Sequence, residues 1–267
     1  MPKYDLLLPL PVMNAAGSLG FAPEQAGPAD LEGLGAFVTN PISLRPRSPA
    51  HNRRFQPYPG GFLLHTGHPN PGFREAVRRC RRRWERSPLP VIVHLLAENP
   101  KTLAAMVSQL EGMEGVIGVE ISLPPESDTQ TALEFIQSAT GELPIVARLP
   151  PENALELAWT LAASGAAAFS LGPPRGRLPD ALGNAVGKAV GKAVGKAVGK
   201  AVSKALGGRL YGPAVFPQAL YLVEQLARGP LPVIGAGGIY NAEDGEAMLA
   251  AGAMAIQLDA SLWRGGW

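Results

Sequence analysis

Residues 231–262 read LPVIGAGGIYNAEDGEAMLAAGAMAIQLDASL, and their order decides the architecture. An apolar run, PVIGAGG (232–238), carries Gly235, Gly237 and Gly238 at its end. A helical stretch follows, opened by Asn241 and closed by Gly252. A second apolar run, AMAIQLD (253–259), comes directly after it. Strand, helix, strand is the unit of a parallel sheet, because parallel neighbours need a crossover. Glycines let backbone N–H groups approach a ligand, and a helix start adds positive potential, so the turn after 238 suits a phosphate.

Six more apolar runs lie upstream: PVMNAA (11–16), AFVTNPIS (36–43), PVIVHLL (90–96), GVIGVEISL (115–123), PIVARLP (144–150) and AAAFSLG (166–172). They are continuous rather than alternating, as strands covered on both faces are. Helical stretches separate the later ones; one opens at Asn99 with Pro100 at its first position, and another closes on Gly141. Eight strands with intervening helices predict a single-domain (β/α)8 TIM barrel, with function on the loops after the strand C-termini. An open doubly wound sheet is the rival, but no G-x-G-x-x-G turn follows the first strand. After the eighth strand only ASLWRGGW (260–267) remains, so the closing helix is missing. Trp263 and Trp267, the N-terminal segment, a second copy of the chain or a partner subunit is expected to cover the strand eight and strand one face.

The 267 residues are 46% hydrophobic with a net charge of +2, which excludes a disordered chain. A single cysteine, Cys80, excludes an intramolecular disulfide framework and a Cys-rich zinc site. No apolar stretch is long enough for a membrane span. The start, MPKYDLLLPLPVMNAAG, is broken by Pro9 and Pro11, unlike a secretory signal, and a cytoplasmic location is the expectation. Residues 183–206 form a Lys/Ala/Val/Gly repeat with five lysines and no acid, inserted between strand six and the next helix. Without those lysines the chain has 19 basic against 22 acidic residues. The period of four favours neither helix nor strand; a low-complexity loop is expected, with a cationic flap over the barrel mouth as the alternative. The arginine-rich run FREAVRRCRRRWER (73–86) wraps most of a helix and is expected to be a solvated outer helix, so no nucleic-acid partner is expected.

Several polar residues stand out. Glu120 occupies an inward strand position, and a buried carboxylate needs a partner; Arg148 is a candidate. Ser122, two residues on, is a further catalytic candidate. His65 and His68 belong to a loop expected at the mouth, and His94 lies inside strand three.

Taken in order, PVMNAAGSLGF, GAFVTNPISLRPRSP, GFLLHTGHPNPGF, GVEISLPP, PIVARLPP, GRLYGPAVFPQAL and the 231–262 segment resemble the dihydroorotate dehydrogenase family, FMN-dependent barrels that oxidise dihydroorotate to orotate in pyrimidine synthesis. The resemblance implies an FMN oxidoreductase with a small-molecule substrate. It places Ala15, Ala16 and Gly17 against the flavin ring, Gly237 and Gly238 on its phosphate and Gly212 close by. Other positions depart from the family pattern. Asn40, not Lys, follows Thr39. Arg148 stands for a flavin-contacting Lys. Asp259 and Ala260 stand for a Gly-Thr pair. The family's Asn-x-Ser-Cys/Ser-Pro-Asn run is here Glu120, Ile121, Ser122, Leu123, Pro124 and Pro125, so Leu123 replaces the proton acceptor. Leu64 replaces an Asn. The base then falls to Glu120, Ser122 or a histidine such as His65, with Asn14, His65 and Asn70 as substrate-binding candidates. The alternative is a barrel without catalysis that binds flavin or another ligand, or serves as a subunit.

Overall fold

A computed structural model describes residues 6–23, 31–51, 55–96, 98–124, 127–178 and 206–264. In chain order the elements are β1 (Val12–Asn14), β2 (Phe37–Val38), β3 (Ile42–Ser43), β4 (Phe55–Tyr58), β5 (Gly61–Leu64), α1 (Phe73–Glu85), β6 (Val91–Leu96), α2 (Pro100–Leu110), β7 (Val116–Ser122) and α3 (Thr129–Ala139). They continue with β8 (Ile145–Leu149), α4 (Ala154–Leu161), β9 (Ala168–Leu171), β10 (Arg175–Leu178), β11 (Leu206–Tyr211), α5 (Phe216–Leu226), β12 (Val233–Ala236), α6 (Ala242–Ala250) and β13 (Ala255–Leu258).

All eight expected strands are parallel barrel staves, in the order β1-β13-β12-β9-β8-β7-β6-β2, with β3 continuing the β2 side along β6. Pro41 interrupts that stave and splits it in two. The barrel closes between β1 and β2. Met13 bridges Ala36 there, and the Gly35 N–H donates to the Val12 carbonyl at 2.7 Å. The Asn14 amide spans the same seam, accepting from the Val38 N–H at 2.8 Å and donating to its carbonyl at 2.7 Å.

Helix starts follow the sequence. Asn99, Asp128 and Asn241 each accept a backbone N–H three residues on, from Thr102, Thr131 and Asp244. Helix α1 buries a stripe of Phe73, Ala76, Cys80 and Trp84 and turns Arg78, Arg79 and Arg81 to solvent, paired with Glu75 and Glu85. It is the outer helix the sequence suggests.

Strand alternation fills the barrel lumen in layers. Met13, Val38, Ile92, Val146, Ala168, Ile234 and Ala255 form an apolar layer, plugged from below by Leu6. Two residues further along four of these staves the inward positions are His94, Arg148, Ser170 and Gln257, and Glu120 follows Gly118 on β7; all five are buried. The lumen is therefore apolar below and polar toward the C-terminal mouth.

Two features differ from the sequence reading. A four-stranded antiparallel sheet, β10-β11-β5-β4, lies across the mouth. In addition, Trp263 does not cover the outer face of β13 and β1. Its indole N–H donates to the Ser18 carbonyl at 3.0 Å, and its ring packs near Phe62 and Tyr211 of the cap sheet. Leu6 likewise packs in the lumen cluster, and residues 1–5 fall outside the described residues. Trp267 and the repeat from 183 to 205 fall outside the described residues, whose nearest ends, Leu178 and Leu206, pair across β10 and β11.

Candidate active site at the barrel mouth

Glu120 is the hub of the polar layer. One carboxylate oxygen, Oε2, accepts from His94 Nδ1 at 2.5 Å and from Arg148 Nη1 at 3.2 Å. The other, Oε1, accepts from Ser170 Oγ and Gln257 Nε2, both at 2.7 Å. Burial opposes ionisation of this carboxyl, but Arg148, His94 and Ser170 outweigh it and hold it well below the usual carboxylate range. Burial pushes His94 below its ordinary value, against the pull of Glu120. The ring is therefore neutral near pH 7 while Glu120 is ionised. An ionised carboxylate only accepts, so the ring proton is on Nδ1. The bare Nε2 then accepts the Ser122 hydroxyl at 3.0 Å.

Ser122 ends β7 and opens onto a cavity of about 720 Å³, within the range of cofactor and substrate sites. Its floor includes Ala16, Gly17 and Ser18; its roof is the cap sheet, with Arg175, Arg177 and Arg209. Arg47, His65 and His68 complete one wall, and Leu123 and Asp259 lie on the others. Burial, with Arg209, His94, Arg148 and Arg47 nearby, pushes His68 down to about 3. The cavity is thus electropositive. Among the described residues no group of three His, Cys, Asp or Glu can hold a metal, and no helix is long and apolar enough to cross a membrane.

The expected site residues divide into two groups. Glu120, Ser122, Arg148, Ala16, Gly17, His65 and Asp259 converge on the lumen and cavity. Gly237 and Gly238 lie just past the end of β12, and most of the others are engaged in the scaffold. Asn14 spans the barrel seam, and the Ala15 N–H donates to the Leu258 carbonyl. Thr39 Oγ1 accepts the His94 N–H, and Asn40 holds the Gly20 N–H. Asn70 is buried and pins its own loop through Ser43, His68 and Gly72. Gly212 packs on the cap sheet, where a Cβ would come 2.6 Å from the Gly61 Cα. Ser170 and Gln257 are site residues that the sequence reading passed over, while Arg209, a candidate to neutralise Asp259, lies in the cavity roof with Arg175 and Arg177. Ser170 and Gln257 share the inward parity of Glu120 in otherwise apolar strands, and that parity was the available signal.

FMN can be tested against this geometry. At Gly17, φ is +97° and a Cβ would meet only Pro41 within 4 Å, so the backbone there is open to a flat ring. Gly237 and Gly238 are buried, and their N–H groups have no acceptor among the described residues, as a phosphate cradle requires. Asp259 is the discordant group. Its carboxylate takes the Ala260 N–H for itself, and burial pushes it up from its ordinary value. The ring and phosphate positions fit FMN, with one carboxylate against the fit.

Eight parallel staves around a lumen that turns polar at its C-terminal mouth define a (β/α)8 barrel with its ligand site above the strand ends. The family model described as dihydroorotate dehydrogenase matches residues 4–172, and the chain belongs to that family. It is 31% identical to the dihydroorotate dehydrogenase B (NAD(+)) catalytic subunit of Desulforudis audaxviator, over 94% of this chain and 82% of that protein. The corresponding protein of Maridesulfovibrio salexigens is also 31% identical, over 95% and 84% of the two chains. Among solved structures, DHODH from Eimeria tenella in complex with ferulenol superposes with a TM-score of 0.68 at 15% identity, covering 96% of this chain and 77% of that one.

Proposed function

We propose that the chain is an FMN-dependent oxidoreductase acting on a CH–CH bond of a small anionic substrate, in the manner of dihydroorotate oxidation. The observation that carries this is the hydrogen-bonded run from Glu120 through His94 to Ser122, which ends at the cavity beside the open Gly17 backbone. FMN, when bound, would supply the acceptor for the hydride, which carries both electrons. Ala16 and Gly17 would lie under its ring, and Gly237 and Gly238 would hold its phosphate. Ser122 receives the proton from the adjacent carbon as its own passes to His94 Nε2, while Glu120 steadies the charged ring. Leu123, with no titratable atom, cannot take that part. Arg47, Arg175 and Arg209 favour a negatively charged substrate. A cytoplasmic location goes with this reading, and the designation of the bacterial relatives as catalytic subunits supports a partner subunit.

The test is the absorption spectrum of the purified chain, followed by anaerobic addition of dihydroorotate. Flavin bands are expected, with bleaching slower by about 10²–10⁴ than in relatives that carry the usual base. Reconstitution with FMN that yields no bound flavin would leave the second reading, a barrel without redox catalysis, which the apolar Leu64 and Leu123 on the cavity wall favour.

A further inference from the structure

We infer that Ser122 is also an acyl-transfer nucleophile, giving the barrel a hydrolytic activity toward carboxylic esters that does not need the flavin. Four parts of such a site are assembled here. The first is the nucleophile. Ser122 Oγ is half-buried at a strand end and faces the 720 Å³ cavity. The second is the base: His94 Nε2 lies 3.0 Å from that hydroxyl. The third orients the base, since Glu120 Oε2 binds His94 Nδ1 at 2.5 Å and fixes the tautomer whose Nε2 accepts a proton. Ser170 and Gln257 hold the other carboxylate oxygen, so the carboxylate cannot turn away.

The fourth part is a place for developing negative charge. Behind Ser122 is a small cavity of about 30 Å³, lined also by Arg148, Gly172, Arg209 and Glu152, whose Oε1 accepts from the Arg175 N–H at 2.8 Å. It has room for one or two oxygen atoms. Arg148 is 8% exposed, and its Nε has no hydrogen-bond partner. A Cβ on Gly172 would come 3.6 Å from that Nε and 3.8 Å from Arg209 Nη1, so both guanidinium groups meet at this slot. A buried donor without an acceptor is costly, and a carbonyl oxygen in the slot would satisfy it.

The chemistry balances without an added oxidant or reductant. Ser122 Oγ bonds to the ester carbonyl carbon, and its proton passes to His94 Nε2. The carbonyl oxygen carries the negative charge in the slot beside Arg148 Nε. As the carbonyl re-forms, the bond to the alcohol oxygen breaks, and that oxygen takes the proton from His94. Water then enters from the large cavity and gives a proton to His94 as its oxygen bonds to the acyl carbon. The bond from that carbon to Ser122 Oγ breaks, the acid leaves, and Ser122 Oγ takes the proton back from His94.

The test uses the full chain and a fluorophosphonate ester, which phosphonylates activated serines, with the modified peptide identified by mass spectrometry. Stoichiometric labelling of Ser122 is expected in the native protein, with or without bound FMN, and not after heat unfolding. Ser122→Ala abolishes it without disturbing the fold. Arg148→Lys keeps a cation beside Glu120 but lacks Nε, and slows labelling by about 10²-fold. His94→Gln, compared only if its circular dichroism is native, slows it by about 10²–10⁴-fold. p-Nitrophenyl acetate should give a burst of one p-nitrophenolate per chain. Failure of the native protein to label, equal labelling of other serines, or labelling of Ser122 that persists at full rate in Arg148→Lys would each overturn the inference. None of these readouts depends on flavin, so the oxidoreductase reading stands or falls separately on its spectrum.

Discussion

Asp259 is the single side chain at which the FMN fit can be tested most directly. Its carboxylate, half-buried in the cavity wall, takes up the Ala260 N–H. Asp259→Gly should therefore tighten FMN binding, by at least tenfold if one desolvated charge repulsion is relieved. Titration of the apoprotein with FMN measures this, and an unchanged Kd would show that the carboxylate faces away from the phosphate. His68 carries a pH dependence. It is neutral in the fold, with its pKa lowered from 6.5 to about 3. Unfolding lets it take up a proton between those two values. Its contribution to stability is whole above pH 6.5 and is lost as pH falls toward 3, at up to about 1.4 kcal/mol per pH unit. His94, also pushed down, works in the same direction. His68→Asn should flatten this acid limb in urea titrations. Asn also tolerates the positive φ of 51° found there. An acid limb of unchanged slope would contradict the assignment.

The cap sheet is the element that turns a barrel end into a cavity, and its connections suggest where the chain can be cut. Leu178 on β10 pairs with Leu206 on β11, so the two ends of the 179–205 segment are already neighbours. Replacing those 27 residues by a turn of about four should preserve the fold. Loop-closure entropy changes by about 0.6 kcal/mol per doubling of length, so the shortened chain is expected to gain roughly 1–2 kcal/mol. A melting temperature lowered by ten degrees would show instead that the repeat packs on the barrel. This sheet was illegible in the sequence for physical reasons. FQPY, GFLL, RGRL and LGGRLY carry Pro, Gly and Arg where strands usually show β-branched residues, and their pairings reach across the chain. The barrel staves were legible because burial on both faces writes them as unbroken apolar runs. Glu120 and Ser122 were legible as polar interruptions of such a run. His94 was visible but had no evident partner, because a link from β6 to β7 is a register fact, set by the pairing of His94 with Glu120. Asn14 and Asn70 look like ligand groups in sequence, yet both amides are used to hold backbone.

At the scale of the whole molecule, the barrel depends on its thinnest seam. Among the described residues the β1 and β2 seam is held by one strand bridge, the bond from the Gly35 N–H to the Val12 carbonyl and the Asn14 amide. Asn14→Ala leaves the Val38 N–H and carbonyl without those partners, which should cost about 2–4 kcal/mol. The melting temperature is then expected to fall by roughly 5–15 °C for a chain of this size. A loss below one degree would mean that the seam is held elsewhere. The seam and the Leu6 plug together close the bottom of the lumen, where Met13, Val38, Ile92, Val146 and Ile234 leave no polar path. Among the described residues nothing opens the lumen below, so on the proposed reading whatever reacts at the Glu120 layer comes and goes by the same door. Such a vessel has no back exit, so an incoming molecule cannot push a spent one through. Turnover becomes a matter of taking turns, with each departure clearing the way for the next arrival.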